Sequence, residues 1–142
     1  MSPDRKALVQ QSWRQILPIA DAAAGLFYQR LFEIDPSTRP LFAHVEPAEQ
    51  RRKLMSVLSI AVQGLDDLDT LLPVVRDLGA RHAGYGVREA HYASVGAALL
   101  WTLRKGLGEA WTAEVEGAWA EVYGLLAGVM QDAARVTEPR AA

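Results

Sequence analysis

Apolar residues recur at spacings of three and four along almost the whole chain, and no run of alternating β-branched residues bounded by turn signals interrupts them. That period predicts an all-α fold. Ser2 ahead of Pro3 predicts the cap and first turn of a helix that runs to a bend at Pro18, with Leu8, Trp13, Ile16 and Leu17 on its inner face. A second helix is expected over about 19–33, where a broad stripe of Ala24, Phe27, Tyr28, Leu31 and Phe32 turns Tyr28 inward. The stretch DPSTRPLF, residues 35–42, has a capping Asp35, two prolines and an apolar end. It reads as a short helical turn and a corner, with Phe42 plugged into the core.

Glu46 and Pro47 start a third helix that extends to about Gly64, in which Gln50, Leu54, Val57, Leu58, Ala61 and Leu65 share the inner stripe. Gln50 is the polar member of that set. The next segment, LDDLDTLLPVVRDLGARH, offers Asp69 as a cap and brings Leu71, Val75, Leu78 and His82 to one face, with Gly84 suited to the left-handed residue that ends the helix. A fifth helix is expected over 89–107 with Tyr92, Val95, Leu99 and Leu103 inside, stopped by the glycines of KGLGEA. Thr112 caps a sixth, carrying Val115, Trp119, Val122, Tyr123, Leu126 and Met130. The pattern implies one domain over 1–136 and a frayed tail over 137–142, with no repeat or linker.

Within that pattern, ARHAGYGVREAHY at 80–92 stands out, because it concentrates two of the three histidines and two of the four tyrosines around two glycines. Such a pair of histidines fits a metal site, a catalytic pair or a plain helix joint. Composition narrows the choice. There is no cysteine, which removes disulfides, thiolate zinc, iron–sulfur clusters and covalent haem attachment together. Any metal must be held by histidine or oxygen ligands, or inside a cofactor. A net charge of −2 with interspersed signs marks no surface for nucleic acid or anionic membrane. The start MSPDRKAL lacks the apolar run of a signal peptide, and no stretch approaches the roughly 18 consecutive apolar residues of a membrane helix. A cytoplasmic protein without membrane insertion is expected.

Three inward polar residues, Tyr28, Gln50 and His82, come from three different predicted helices. Burying a polar group without a partner costs about 1–3 kcal/mol, so each needs something to bond to. A backbone carbonyl or a neighbouring side chain would satisfy any one of them taken alone. Taken together they differ from that bland case, since a single histidine faces a large apolar core with a Tyr and a Gln available opposite. That is an arrangement suited to a flat apolar cofactor with a metal at its centre.

The stretches LFYQRLFEIDPSTRPLF, EQRRKLMSVLSIAVQG, LGARHAGYGVREAHY, VGAALLWTLRKGLG and AWAEVYGLLAGVM, in this order and spacing over roughly residues 3 to 133, resemble the bacterial single-domain haemoglobins and the globin domain of flavohaemoglobins. The resemblance implies a globin fold around non-covalent haem b, iron protoporphyrin IX. His82 resembles the proximal iron ligand, with its other ring nitrogen donating to a carbonyl one turn earlier, that of Leu78. Phe42 resembles the aromatic that packs flat on the porphyrin. Tyr28 and Gln50 resemble the distal pair that meets the iron's sixth ligand, and Leu54 an apolar wall of that pocket. Arg81 is a candidate partner for a haem propionate, against the ordinary reading of a solvated arginine at a helix end. The same ordinary reading covers Arg51 and Lys53. Tyr92 and Tyr123 are implied near the proximal side, His91 as part of the joint, and His44 as an exposed corner residue.

One departure matters. Flavohaemoglobins carry a glutamate late in the last helix that strengthens electron donation to iron, and here the aligned position is Ala134, with Asp132 the nearest acid. The chain also stops where their reductase region would begin, so a self-sufficient nitric oxide dioxygenase is not expected. The resemblance therefore implies first a haem protein that binds O2, and other diatomic gases such as NO and CO, reversibly at ferrous iron. Nitric oxide dioxygenation with a separate reductase as partner is the alternative, and a haem-free globin-fold interaction or sensor module the third.

Overall fold

The computed structural model describes residues 2–137, and over that span the chain is helical with short 3-10 turns and no strand. The α-helices are α1 (Pro3–Ile16), α2 (Ala20–Ile34), α3 (Pro47–Gly64), α4 (Leu68–Gly84), α5 (Glu89–Leu107) and α6 (Ala113–Thr137). A 3-10 run at Pro36–Phe42 forms the corner between α2 and α3. Caps set these boundaries. The side chain of Ser2 accepts from the Arg5 amide and that of Glu46 from the Ala48 and Glu49 amides. Asp35 accepts from the Ser37 amide and so starts the corner, and Thr112 Oγ1 accepts from the Val115 amide.

Several expectations shift, each for a local reason. Leu17 stands 43% exposed rather than inside, because Leu17–Ile19 is a 3-10 turn whose three-residue period breaks the register of the α1 stripe. Val57 is also exposed. It lies about 100° round α3 from Leu58, past the edge of the seam that packs Leu54, Met55, Leu58 and Val62 on the core. The cap of α4 is Asp67, whose carboxylate accepts from the Thr70 amide and hydroxyl, and Asp69 falls in the first turn instead. Helix α4 runs through Gly84, and the left-handed residue is Gly86, at φ 88°. Of the tail expected at 137–142, Thr137 closes α6 and the rest lies outside the described residues.

The core gathers Val9, Trp13 and Ile16 of α1, Phe27 and Leu31 of α2, Leu99 and Leu103 of α5, and Trp119 and Val122 of α6. Its indoles are satisfied, with Trp13 donating to Ser59 Oγ at 3.1 Å and Trp119 to Ser12 Oγ at 2.8 Å. No helix among the described residues is long and apolar enough to cross a membrane.

The fold positions His82 through one close approach. Helix α4 packs chiefly on α6, and at Gly79 the two backbones come so near that an added Cβ would collide with the Met130 carbonyl oxygen. The obstacle is main chain, so it cannot rotate away. Gly79→Ala is expected to lower stability by about 1–3 kcal/mol through overpacking, read as a lower urea midpoint with an unchanged slope.

Candidate functional site

Tyr28 projects from the inner face of α2 and Gln50 from the first turns of α3, and the two meet. Gln50 Nε2 donates to Tyr28 Oη at 2.9 Å. The phenol oxygen is thereby an acceptor, which leaves its own proton to be donated elsewhere. Burial pushes the Tyr28 phenol above its ordinary range, with the Gln50 bond opposing in part. The hydroxyl therefore stays protonated at neutral pH and is a standing donor. Phe42 of the corner packs edge-on against Tyr28, with ring centroids 5.2 Å apart, and Phe32 stands 6.1 Å from Tyr28. Tyr28, Gln50 and Phe42 share the wall of a cavity of about 620 Å³ with Gly25, Phe32, Arg39, Val45 and Pro47 among its other lining residues. That is the size and mainly apolar character of a small-molecule or cofactor site.

His82 lies in the last turn of α4, two-sidedly constrained. Its Nδ1 stands 2.6 Å from the Leu78 carbonyl oxygen. A carbonyl only accepts, so Nδ1 carries the proton and Nε2 the free lone pair. Burial depresses the ring's proton affinity below the ordinary histidine value, and the neighbouring Arg81 charge adds to this, against the Leu78 bond. The result is a neutral imidazole with a free lone pair, the form in which histidine binds a metal. Among the described residues no group of three or more His, Asp or Glu side chains is arranged to hold a bare ion.

A family model described as globin matches residues 25–130, a span that contains Tyr28, Phe42, Gln50 and His82. The chain belongs to the globin family. A flavohemoprotein of Bordetella parapertussis is 36% identical over 132 residues, covering 92% of this chain and 33% of that protein. The neuroglobin of Danio rerio is 32% identical over 143 residues, covering 92% of this chain and 90% of that one. This globin thus spans about a third of the length of the flavohemoprotein it matches. Its backbone superposes on a bacterial globin from Campylobacter jejuni with a TM-score of 0.82 at 21% identity, covering 95% and 97% of the two chains. For a hexacoordinated heme protein from an anhydrobiotic tardigrade the TM-score is 0.84 at 20% identity, covering 95% and 96%. At those identities the likeness speaks for the globin fold alone.

The remaining candidates divide. Leu54 is half-buried against the core and Leu78 contributes its carbonyl to His82, but neither they nor His82 line the Tyr28 cavity. Arg81 is exposed and paired with Asp77 at 2.9 Å. Arg51 and Lys53 are likewise paired, with Asp21 and Glu49. Tyr123 donates to the Tyr92 carbonyl at 2.6 Å, and burial pushes both phenols up. The Tyr92 hydroxyl is buried with no partner among the described residues. Tyr92 also lines a second cavity of about 290 Å³ with Gln131, Ala134 and Arg135, and there Arg135 is held by Glu89 and Asp132. His44 is exposed.

Sequence reasoning missed Arg39, which lines the larger cavity with its guanidinium 4.9 Å from the centre of the Phe32 ring. An arginine between two prolines carries no periodic signal. It also missed the partners of buried His91, Ser37 and Asp35, which lie far off in sequence.

The His82 environment has a pH consequence. Because the folded ring binds a proton less readily than the unfolded one, its neutral form stabilises the fold above the ordinary histidine value of 6.5. That contribution is lost as pH falls through the lower folded value. In the cofactor-free chain, urea stability should decline as pH drops below about 6.5, and His82→Gln should shrink the slope. An equal slope in the variant would place the titration elsewhere.

Proposed function

We propose that this globin holds haem b through His82 and binds diatomic gases, O2 foremost and also NO and CO, on the side of Tyr28 and Gln50. The observation that carries the reading is the 2.9 Å bond from Gln50 to the Tyr28 oxygen, which leaves a phenol proton free toward a cavity of about 620 Å³. The donor set suits the cofactor. A lone neutral imidazole is too few ligands for a bare metal ion and would suit an iron that arrives already held in a porphyrin. The family and the flavohemoprotein relatives support the same group.

Haem, when bound, would be held by His82 and would supply a ferrous iron able to take up a diatomic gas. The chain's own groups set the behaviour around it. Leu78 holds the His82 ring through Nδ1, which leaves Nε2 as the atom that would ligate the iron. Phe42 and Leu54 offer apolar surface. Tyr28 donates to a ligand that carries partial negative charge, a hydrogen bond worth about 1.5–3 kcal/mol. Gln50 keeps the phenol oriented so that the proton is presented to the pocket.

Nitric oxide dioxygenation with electrons from a separate reductase is the alternative that the resemblance to flavohaemoglobins implies, and it would use the same distal pair. The proximal side favours simple binding. His82 donates to a neutral carbonyl rather than to a carboxylate, and the Tyr92 hydroxyl has no described acceptor to relay charge.

Visible spectra test the reading. The anaerobically reduced protein should show a Soret band and, on exposure to air, the two-banded oxygenated form, with both weakened in His82→Ala. Absence of a Soret band after haem is added would overturn it in favour of a haem-free interaction module. In the loaded protein Tyr28→Phe should speed O2 dissociation about ten- to a hundred-fold by stopped flow. Nitric oxide turnover with an added reductant, lost in Tyr28→Phe, would instead favour the enzyme.

A further inference from the structure

The cavity beside Tyr28 has a polar wall of one sign. Its polar side chains are Tyr28, Arg39, Gln50 and Arg51, and no Asp or Glu lines it. Gln50 gives one N–H to Tyr28 Oη at 2.9 Å, and Tyr28 keeps its own proton to donate. Apart from the Gln50 carbonyl, the fixed polar features of this wall are therefore donors or cations.

The two arginines are held differently. Arg51 Nε donates to Asp21 Oδ1 at 2.9 Å, so its charge is offset. Arg39 makes no ion pair among the described residues, and its guanidinium lies over the Phe32 ring, 4.9 Å from the centroid. Phe32 in turn stands 5.9 Å from Phe42 and 6.1 Å from Tyr28. A ring face attracts the charge but leaves the N–H donors of the guanidinium for another acceptor. Arg39 is also exposed while lining the cavity, so it stands where the cavity meets solvent. A cleft lined by one sign of charge between apolar walls concentrates ions of the other sign and raises their on-rates about 10- to 10³-fold.

We propose that this cavity is a site for small monoanions as well as for gases, and that Arg39 is the residue that draws them in and selects them by charge. The inference rests on the haem reading only for the rate at which an anion reaches iron. The anion site itself is built from the chain. A carboxylate of the cofactor offers the guanidinium the same chemistry as a free anion, and the experiment separates the two.

Azide is the probe, an anion at pH 8 that ligates ferric haem, with CO as the uncharged ligand of the ferrous form. In the loaded protein the ratio of azide to CO association rates, by stopped flow, should fall about ten-fold in Arg39→Gln at about 0.01 M ionic strength. At about 1 M, where charges are screened within about 3 Å, most of that difference should vanish. Arg39→Lys keeps the charge and should keep most of the wild-type ratio. An unchanged ratio in Arg39→Gln, or a fall that salt does not remove, would overturn the proposal. If the ratio is unchanged and haem passes faster from Arg39→Gln to an excess of scavenger, the guanidinium is held by a carboxylate of the cofactor instead.

One readout needs no haem. Azide added to the cofactor-free chain should move the Arg39 Nε–H and Gln50 side-chain ¹⁵N signals saturably, with a Kd of about 1–10 mM. In Arg39→Gln the Gln50 signal should report an affinity about ten-fold weaker. Signals that stay in place, or drift with added salt and never saturate, would overturn the anion site. If no variant takes up haem, the functional reading fails, while this titration still decides the inference.

Discussion

Much of this globin turns on where one proton sits. The Leu78 carbonyl lies one helical turn before His82 and takes its Nδ1–H at 2.6 Å, which leaves the opposite nitrogen as the only basic atom of the ring. Nothing about that bond is local alone. It requires α4 to keep its last turn intact, and the turn is held by the seat of α4 on α6, where Gly79 lets the backbones touch at Met130. Beyond His82 the chain reverses at Gly86 with a positive φ. The Tyr85 and Val87 amides then close back on the carbonyls of Arg81 and His82. A helix end that would otherwise fray is thus tied on three sides.

Two histidines with backbone partners of opposite kind bracket this segment. For His82 the carbonyl partner dictates Nδ1–H, and for His91 the amide partner dictates Nε2–H. The same side chain serves two ends because backbone offers donors at helix starts and acceptors at helix ends. His82 sits at the close of α4 and His91 at the opening of α5. Each ring nitrogen left over then points away from the backbone, in one case with a lone pair and in the other with a proton for Ser37.

The sequence was legible where a polar residue breaks an apolar stripe. Tyr28, Gln50 and His82 each stand on such a stripe, and burial of a polar group demands a partner, which Tyr28 and Gln50 find in each other and His82 finds in the Leu78 carbonyl. Most helix starts were readable too, because Ser2, Asp35, Glu46 and Thr112 cap where their side-chain oxygens say they should, although α4 is capped by Asp67 rather than Asp69 and runs through Gly84. What failed was register. A 3-10 turn at Leu17–Ile19 rotates Leu17 outward, and one step round α3 does the same for Val57. Contacts between residues distant in sequence were also out of reach, since nothing in the spacing ties His91 to Ser37, 54 residues away. Arg39 was hidden for another reason: its place beside Phe32 depends on how the corner folds back.

Tyr28 and His82 are each satisfied by a neutral partner. On the Tyr28 side a neutral donor, Gln50, occupies the phenol oxygen and no charge is buried, so the hydroxyl keeps its proton without strain on the fold. On the side of His82 the acceptor is again neutral, a main-chain carbonyl. A carboxylate there would pull the Nδ1 proton toward itself and give the ring partial imidazolate character, which raises the basicity of Nε2. Ala134 supplies no such group, and the Tyr92 hydroxyl beside the same small cavity is left without a described acceptor. Both faces thus hold their proton positions by uncharged hydrogen bonds. Such bonds fix orientation and transmit little charge, which is the physical ground on which the proposed function prefers gas binding to turnover.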